Sequence, residues 1–218
     1  MINSLKISII VTISATLFNL FFSIFLYFYK DFKKCKIKKI LEFFITLPIF
    51  LPPSVLGYIL IIYLGRSSFI GRFLERFFDF KILFTINGAI LAATIVSLPI
   101  VYQNIKVAFD SIDYVYIETG KCLGVNFFQM LIHIYLPLTY NKIISGVLLG
   151  FGRAFGEFGA TILIAGNIPG RTQTLPLALY SAIESGENTQ AKILLITLFT
   201  FSSLLLSIYI FFTKKRAD

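Results

Sequence analysis

Five long apolar runs constrain the fold of this 218-residue chain more than any other feature. Each run approaches the roughly 20 residues that an α-helix needs to cross the hydrocarbon core of a bilayer. The runs cover about residues 5–29, 40–64 and 82–107, a fourth that begins near Pro137, and 193–212. Because 57% of the residues are hydrophobic and 14% are charged, a soluble domain is excluded. We therefore expect an all-α polytopic membrane protein with about five transmembrane helices.

Basic residues cluster between the apolar runs, and this pattern predicts the topology. Lysines from Lys30 to Lys39 follow the first run, opposed only by Asp31, and Lys214, Lys215 and Arg216 follow the last. The positive-inside rule explains these clusters better than nucleic-acid binding does. We expect both clusters in the cytoplasm, so that the amino end lies outside, the carboxyl end lies inside, and the partners include membrane lipid but no nucleic acid.

The second run contains prolines, which remove backbone hydrogen-bond donors and break helices. Pro48, Pro52 and Pro53 predict a kink or break, and we expect protein to cover the freed carbonyls, so that residues 47–58 lie inside the bundle. The following loop, residues 65–81, is expected outside. Its phenylalanines recur at near-helical spacing and predict a short interfacial helix.

A polar segment, residues 113–137, separates the third and fourth runs and is here called the coupling segment. The positions of its capping residues, glycine and proline predict two short helices joined by a bend. Asp113 and Asn126 cap the two helices, Gly124 ends the first helix, and Pro137 stands at the entry of the next apolar run. Gln129 completes a capping box with Asn126. This arrangement is expected to display four side chains, namely Phe127, Phe128, Leu131 and Tyr135.

The fourth run combines small residues with an ionisable pair. Gly152, Gly156 and Ala160 recur every fourth residue and predict one smooth helix face, and Gly146 and Gly150 form a second pair.

Arg153 and Glu157 stand one helical turn apart at membrane depth, where ionisable groups are costly. Either Arg153 steers an anion while Glu157 holds it or gates its path, or the two form a structural ion pair.

After the fourth run, residues 166–190 form a turn-rich loop that is expected outside, with a short apolar helix from about Leu175. Arg171 offers a planar donor that suits an anion, and Thr172 and Thr174 offer hydroxyls.

The coupling segment resembles the signature of ABC importer permeases. The matching residues are Glu118, Gly124, Ile134, Leu136 and Pro137, whereas Thr119 and Gly120 stand where the family usually has alanines. Both are small, so close packing remains possible. Residues 151–180, FGRAFGEFGATILIAGNIPGRTQTLPLALY, resemble the permeases of molybdate importers, and residues 47–58 resemble the second helix of those permeases.

This resemblance implies a type I ABC importer (MetI-like) transmembrane domain over residues 1–218, in a bacterial plasma (inner) membrane. It implies a homodimer, cytoplasmic ATPase subunits that bind ATP and Mg, and an extracytoplasmic molybdate-binding protein. The implied coupling residues are Glu118, Gly124, Phe127, Phe128, Ile134, Leu136 and Pro137. The implied pathway or gate residues are Arg153, Gly156, Glu157, Gly159 and Thr161, and those of the outer loop are Asn167, Arg171, Thr172 and Thr174.

Several alternatives stay open at this point. A sulfate or tungstate permease would share the pattern, while a membrane scaffold, a channel or an ion-coupled transporter would need no ATPase. The sequence contains no phosphate-binding loop and only one histidine, His133, so we expect no enzyme, cofactor or metal site in this chain. Cys35 and Cys122 are both expected in the cytoplasm, without a disulfide.

Overall fold

The computed structural model describes residues 1–29, 36–65, 68–78 and 81–214, and this part of the chain is helical without strands. The α-helices, in chain order, are α1 (Ile2–Phe28), α2 (Lys36–Thr46), α3 (Pro53–Leu64), α4 (Phe69–Phe78), α5 (Ile86–Asp110), α6 (Tyr114–Cys122), α7 (Phe127–Met130), α8 (Leu136–Phe155), α9 (Gly159–Ile164), α10 (Leu175–Glu184) and α11 (Asn188–Lys214). The predicted all-α fold is confirmed.

Within the described ranges, four helices are long and apolar enough to cross a membrane, and they match the first, third, fourth and fifth runs. The second run is broken as its prolines predict, because a short 3₁₀ turn, Leu47–Ile49, separates α2 from α3. Helices α3 and α4 are inclined to each other by 56°, and the pair counts as a fifth possible span. The prediction of about five spans is confirmed, as is a helix at residues 69–78. Its position at the membrane interface stays a prediction.

The expectation that residues 47–58 lie inside the bundle is wrong for this chain. Leu56 and Gly57 are buried, whereas Phe50 is 78% exposed and Tyr58 is also exposed. The reason is that α3 packs along one side only. There Gly57 meets α9 so closely that an added Cβ would lie 2.9 Å from the Cα atom of Ala160.

Helix α1 carries its polar residues inward and its large apolar residues outward. The buried polar side chains share one face, and they are Ser4, Ser8, Thr12, Thr16, Asn19 and Ser23. Phe18, Phe21 and Phe25 lie on the exposed face. Asn19 donates to the carbonyl oxygen of Thr94 at 3.1 Å and to Oγ of Ser97 at 2.9 Å, both on α5. Such interhelical hydrogen bonds hold spans together where lipid removes most of the hydrophobic driving force.

The close approach predicted for Gly146 and Gly150 is confirmed. A Cβ atom at these positions would collide with Asn104 and Val101 of α5, respectively. The predicted continuation of a smooth face from Gly152 through Gly156 to Ala160 is wrong, because α8 ends at Phe155 and Ala160 belongs to α9. Gly152 and Gly156 are exposed, and no other helix of the described chain packs against them.

We expect Asn19→Leu to destabilise the protein by about 1 kcal/mol, because it removes both hydrogen bonds between α1 and α5. Thermal unfolding of the purified chain in detergent would measure the loss. The matched control is Leu17→Ala, at an exposed position of the same helix, which should leave the melting temperature nearly unchanged. Equal melting temperatures for Asn19→Leu and the unaltered protein would contradict the role given to Asn19.

Candidate functional site

The first helix of the coupling segment forms as the capping signals predict. The Asp113 carboxylate accepts a hydrogen bond from the Val115 amide at 3.0 Å and caps α6. At the other end Gly124 has a φ of 71°, in the left-handed region that glycine adopts at little cost. The amide of Val125 then donates to the carbonyl of Gly120, and the amide of Gly124 to that of Lys121. These two bonds close α6 in a Schellman motif.

The second helix begins at the predicted capping box, but it is not a separate short helix. Asn126 accepts from the Gln129 amide at 2.9 Å, and Gln129 accepts from the Asn126 amide at 3.0 Å. Helix α7 then passes through a π-helical turn, Leu131–Tyr135, directly into α8, so that residues 127–155 form one continuous helix. Pro137 stands in the first turn after this wider turn, where the missing amide hydrogen is tolerated.

Helix α6 is held against the start of this long helix by close packing at Gly120. A Cβ atom there would lie 2.9 Å from Cδ1 of Ile134, which is half-buried. The small residue expected at this position therefore allows α6 to pack closely against the helix that carries Ile134. Ile134 acts here as a packing residue beneath α6.

The aromatic side chains of the coupling segment divide into a packed set and an exposed set. Phe128 is 69% exposed. Phe127 is partly exposed and also contacts Phe28 of α1, with ring centroids 4.9 Å apart. The expectation that Tyr135 is displayed is wrong, because its ring is buried against Phe28 and Phe109. Leu131 is half-buried.

Glu118 lies on α6, and its carboxylate accepts hydrogen bonds from residues of the same helix. The Lys121 ammonium donates to its carboxylate at 2.8 Å. Hydrogen bonds from Lys121 and Tyr114 lower the pKa of Glu118, and the bond to Glu118 raises the pKa of Tyr114. These contacts are therefore present at neutral pH and are lost as the pH falls through the lowered pKa of Glu118, where its carboxylate takes up a proton.

Arg153 and Glu157 form the ion pair that their spacing predicts, with 2.8 Å between Nη1 and Oε2. The Glu157 side chain is only 2% exposed, whereas that of Arg153 is 33% exposed. Glu157 is therefore the buried member, and part of the guanidinium remains open to the surroundings of the helix.

Sequence reasoning missed that Glu157 lies in a break between two helices. Helix α8 ends at Phe155 and α9 begins at Gly159. The second carboxylate oxygen of Glu157 accepts from the Ala160 amide at 2.8 Å and so caps α9. One carboxylate thus ties the end of α8, through Arg153, to the beginning of α9.

The other predicted pathway residues surround this break. Gly156 is exposed beside Arg153, and Thr161 is buried within α9. Gly159 approaches α3, since a Cβ atom there would lie 3.1 Å from Cβ of Pro53. The structure therefore brings all five residues to the α8–α9 junction, and their part in a pathway stays a prediction.

The loop at residues 166–190 contains the predicted turns and the predicted helix, α10 from Leu175. The Thr172 hydroxyl is buried, accepts from the Ile168 amide at 3.1 Å and donates to the Gly166 carbonyl at 3.4 Å. In this conformation it serves the loop backbone and is closed to a ligand. Arg171, in contrast, is exposed.

Two further polar atoms of this loop are buried without a hydrogen-bond partner within the described ranges, namely Oδ1 of Asn167 and Oγ1 of Thr174. The loop is anchored to α1, where Ser8 accepts from the Leu175 amide at 2.8 Å and Ser4 donates to Gln173 at 3.2 Å. In the sequence, Ser4 and Ser8 near the start of the first run were the signal from which this anchor could have been predicted. A role for the loop in substrate passage stays a prediction.

Comparison with known proteins places this geometry in a transporter family. The family model described as "Binding-protein-dependent transport system inner membrane component" matches residues 19–215. The chain belongs to this family. It is accordingly a membrane-spanning transporter subunit of the inner-membrane permease type and is not itself an enzyme.

Two molybdenum permeases are more than one third identical to this chain over the aligned region. The putative molybdenum transport system permease protein YvgM of Bacillus subtilis is 41% identical, over 82% of this chain and 77% of the relative. The molybdenum transport system permease protein ModB of Haemophilus influenzae is 36% identical, over 94% of this chain and 91% of the relative. The sulfate transport system permease protein CysT of Synechocystis is less similar, at 30% identity over 78% of this chain and 59% of the relative.

A solved structure shares the fold. The MetNI methionine ABC transporter in an inward-facing conformation matches with a TM-score of 0.69 at 14% identity, over 95% of this chain and 89% of that chain. The predicted type I importer fold of the MetI kind is therefore confirmed.

We expect Glu157→Ala to destabilise the protein by about 2–3 kcal/mol, because Arg153 loses its buried partner and α9 loses its cap. Glu157→Gln keeps an acceptor for the Ala160 amide and should cost less. Thermal unfolding in detergent would measure both, with Glu184→Ala, at an exposed acidic residue of α10, as the control. An unaltered melting temperature for Glu157→Ala would contradict the bridging role of this carboxylate.

Proposed function

We propose that the chain is the membrane-spanning subunit of an ATP-driven molybdate importer and forms its translocation pathway. The observation that carries this proposal is the coupling segment, a rigidly capped helix followed by exposed aromatic residues, within a chain of the permease family. The substrate follows from the molybdenum permeases YvgM and ModB, which are more similar to this chain than the sulfate permease is.

The coupling segment is the proposed docking surface for a cytoplasmic ATPase subunit, which would bind ATP and Mg. Its exposed apolar side chains are Tyr114, Val115, Tyr116, Leu123, Phe127, Phe128 and Ile132. Apolar and aromatic groups of this kind supply the buried centre of protein interfaces. Glu118, already oriented by Lys121, would meet a basic group of the ATPase, while Gly124, Ile134, Leu136 and Pro137 keep the segment in shape.

The proposed pathway lies along the open side of the α8–α9 junction, between two copies of the chain. Gly152 and Gly156 have no side chains, so a second copy of the chain could approach this side of the helix closely. Arg153 would steer the passing oxyanion with the exposed part of its guanidinium, while Glu157 keeps that side chain in place. Gly159 and Thr161 would help to form the gate.

The proposed orientation places the amino end outside and the coupling segment in the cytoplasm, which puts α10 and residues 166–190 on the outer face. A molybdate-binding protein would deliver the oxyanion there. Arg171 is exposed and could meet the anion or that protein, whereas Asn167, Thr172 and Thr174 would support the loop from within.

Sulfate and tungstate remain alternative cargoes, because molybdate, tungstate and sulfate are all tetrahedral dianions. The pathway offers Arg153 as a cation but no feature that distinguishes the three. We propose that the binding protein makes this distinction.

We expect Glu118→Arg to leave the subunit folded and to abolish ATP-dependent uptake. The new cation would stand one turn from Lys121 and would no longer match a basic group of the ATPase. Uptake into proteoliposomes containing the ATPase and the binding protein would measure the effect. Lys192→Glu reverses an exposed charge on α11, outside the coupling segment and residues 166–190, and should transport normally. Normal uptake by Glu118→Arg would contradict the docking role.

Substrate competition in the same proteoliposomes tests the function itself. We expect labelled molybdate to enter only with ATP, and we expect excess tungstate to compete far better than excess sulfate. Inhibition by modest sulfate would move the assignment to a sulfate importer and leave the mechanism intact. Uptake that does not depend on ATP would overturn the proposed function and favour a channel or an ion-coupled transporter.

A further inference from the structure

A polar cavity of about 250 Å³ lies between α5, α8 and α11, at the ends of α5 and α8 that adjoin the coupling segment. The lining side chains come from all three helices, and they are Asn104, Val107, Ala108, Asn141, Lys142, Ser145, Tyr209, Phe212 and Thr213. The α8 residues that line this cavity lie in the first half of the helix, whereas Arg153 lies in its last turn. The cavity takes no part in the pathway proposed above.

The lining of the cavity suits an anion. Lys142 is the charged residue among the described residues of this lining, and none of them is a carboxylate. The Lys142 ammonium contacts the Ser111 hydroxyl and keeps further N–H groups for a ligand. Tyr209, also in the lining, carries a hydroxyl that donates hydrogen bonds.

The packing of α11 is uneven along its length. Its buried apolar contacts are made in the first half, where Leu194 is fully buried and Leu198 and Phe201 pack beside it. In the second half Leu204, Leu206 and Phe211 are all more than half exposed. The polar cavity therefore lies where α11 has little apolar contact with the bundle.

We propose that this cavity binds the phosphate headgroup of an anionic phospholipid from the cytoplasmic leaflet. Basic pockets between membrane helices on the cytoplasmic side favour anionic headgroups. The phosphate oxygens accept from Lys142 and Tyr209. The acyl chains lie along the exposed apolar face of α11. This inference rests on the orientation given under the proposed function.

The bound headgroup also connects the lipid to the coupling segment. Lys142 contacts Ser111, which ends α5, and Asp113 caps α6 two residues later. A headgroup that accepts a hydrogen bond from the same Lys142 ammonium therefore affects the junction between α5 and α6. We expect anionic lipid to stabilise this junction and the second half of α11 together.

The full chain, purified in a neutral detergent, provides the test without ATPase or substrate. Thermal unfolding is followed while short-chain phosphatidylglycerol, short-chain phosphatidylcholine or inorganic phosphate is added. We expect a saturable rise in melting temperature with phosphatidylglycerol and a much smaller rise with the other two. Lys142→Ala should weaken the apparent affinity for phosphatidylglycerol about tenfold, since one charge-assisted hydrogen bond is lost.

Lys192→Ala is the matched control, because it removes one lysine from the opposite end of α11, outside the cavity. It should keep the full response to phosphatidylglycerol. Asn141→Asp provides a second variant, in which a carboxylate enters the cavity and should repel the phosphate. Circular dichroism of each variant confirms that it is folded before its response is compared.

The proposal is overturned if phosphatidylcholine stabilises as well as phosphatidylglycerol, or if Lys142→Ala and Lys192→Ala respond alike. Stabilisation by inorganic phosphate at equal concentration would assign the cavity to a free oxyanion and overturn the lipid as its source. None of these thermal-unfolding measurements uses ATP or molybdate. Failure of the import proposal would therefore appear in the proteoliposome experiment and leave this result unaltered.

Discussion

Burial of polar groups within a lipid-facing bundle is the constraint on which the rest of this structure depends. Lipid offers no hydrogen bonds, so hydroxyls and amides must find partners inside the protein. Three side chains on one face of helix α1 do so: Ser8 accepts from the Leu175 amide, Asn19 donates to α5, and the Tyr27 hydroxyl donates to Asp110 at 2.9 Å. On the same face, Oγ1 of Thr16 and Oγ of Ser23 are buried without a hydrogen-bond partner within the described ranges. Polar contacts thus place α1, α5 and the loop before α10 relative to one another.

Once these helices are placed, small residues decide how closely the others approach. Gly150 brings α8 against α5, and Gly57 brings α3 against α9. The short helix α9 is then held at both sides, by α3 and by the Glu157 carboxylate at its first turn. The break between α8 and α9 is therefore an ordered junction. Its one open side carries Gly152, Gly156 and the exposed part of Arg153.

Local signals in the sequence predicted the local structure well. The caps at Asp113 and Asn126, the glycine at position 124 and the break at the prolines of the second run all depend on a few neighbouring residues, and all are present. The errors concern properties that depend on distant contacts. The end of α8 at Phe155 reflects the bond from Glu157 to α9, and the exposure of Tyr58 reflects packing on one side of α3 only. Neither contact is encoded in helical periodicity.

The continuous helix of residues 127–155 changes how the coupling segment and the junction relate. Two separate helices would let a movement at Phe128 dissipate at the bend. A single helix of 29 residues is about 40 Å long and carries the capping box at one end and Arg153 at the other. Under the proposed function, a push by the ATPase on the coupling segment would therefore move Arg153 with it, and Glu157 would pass that movement on to α9.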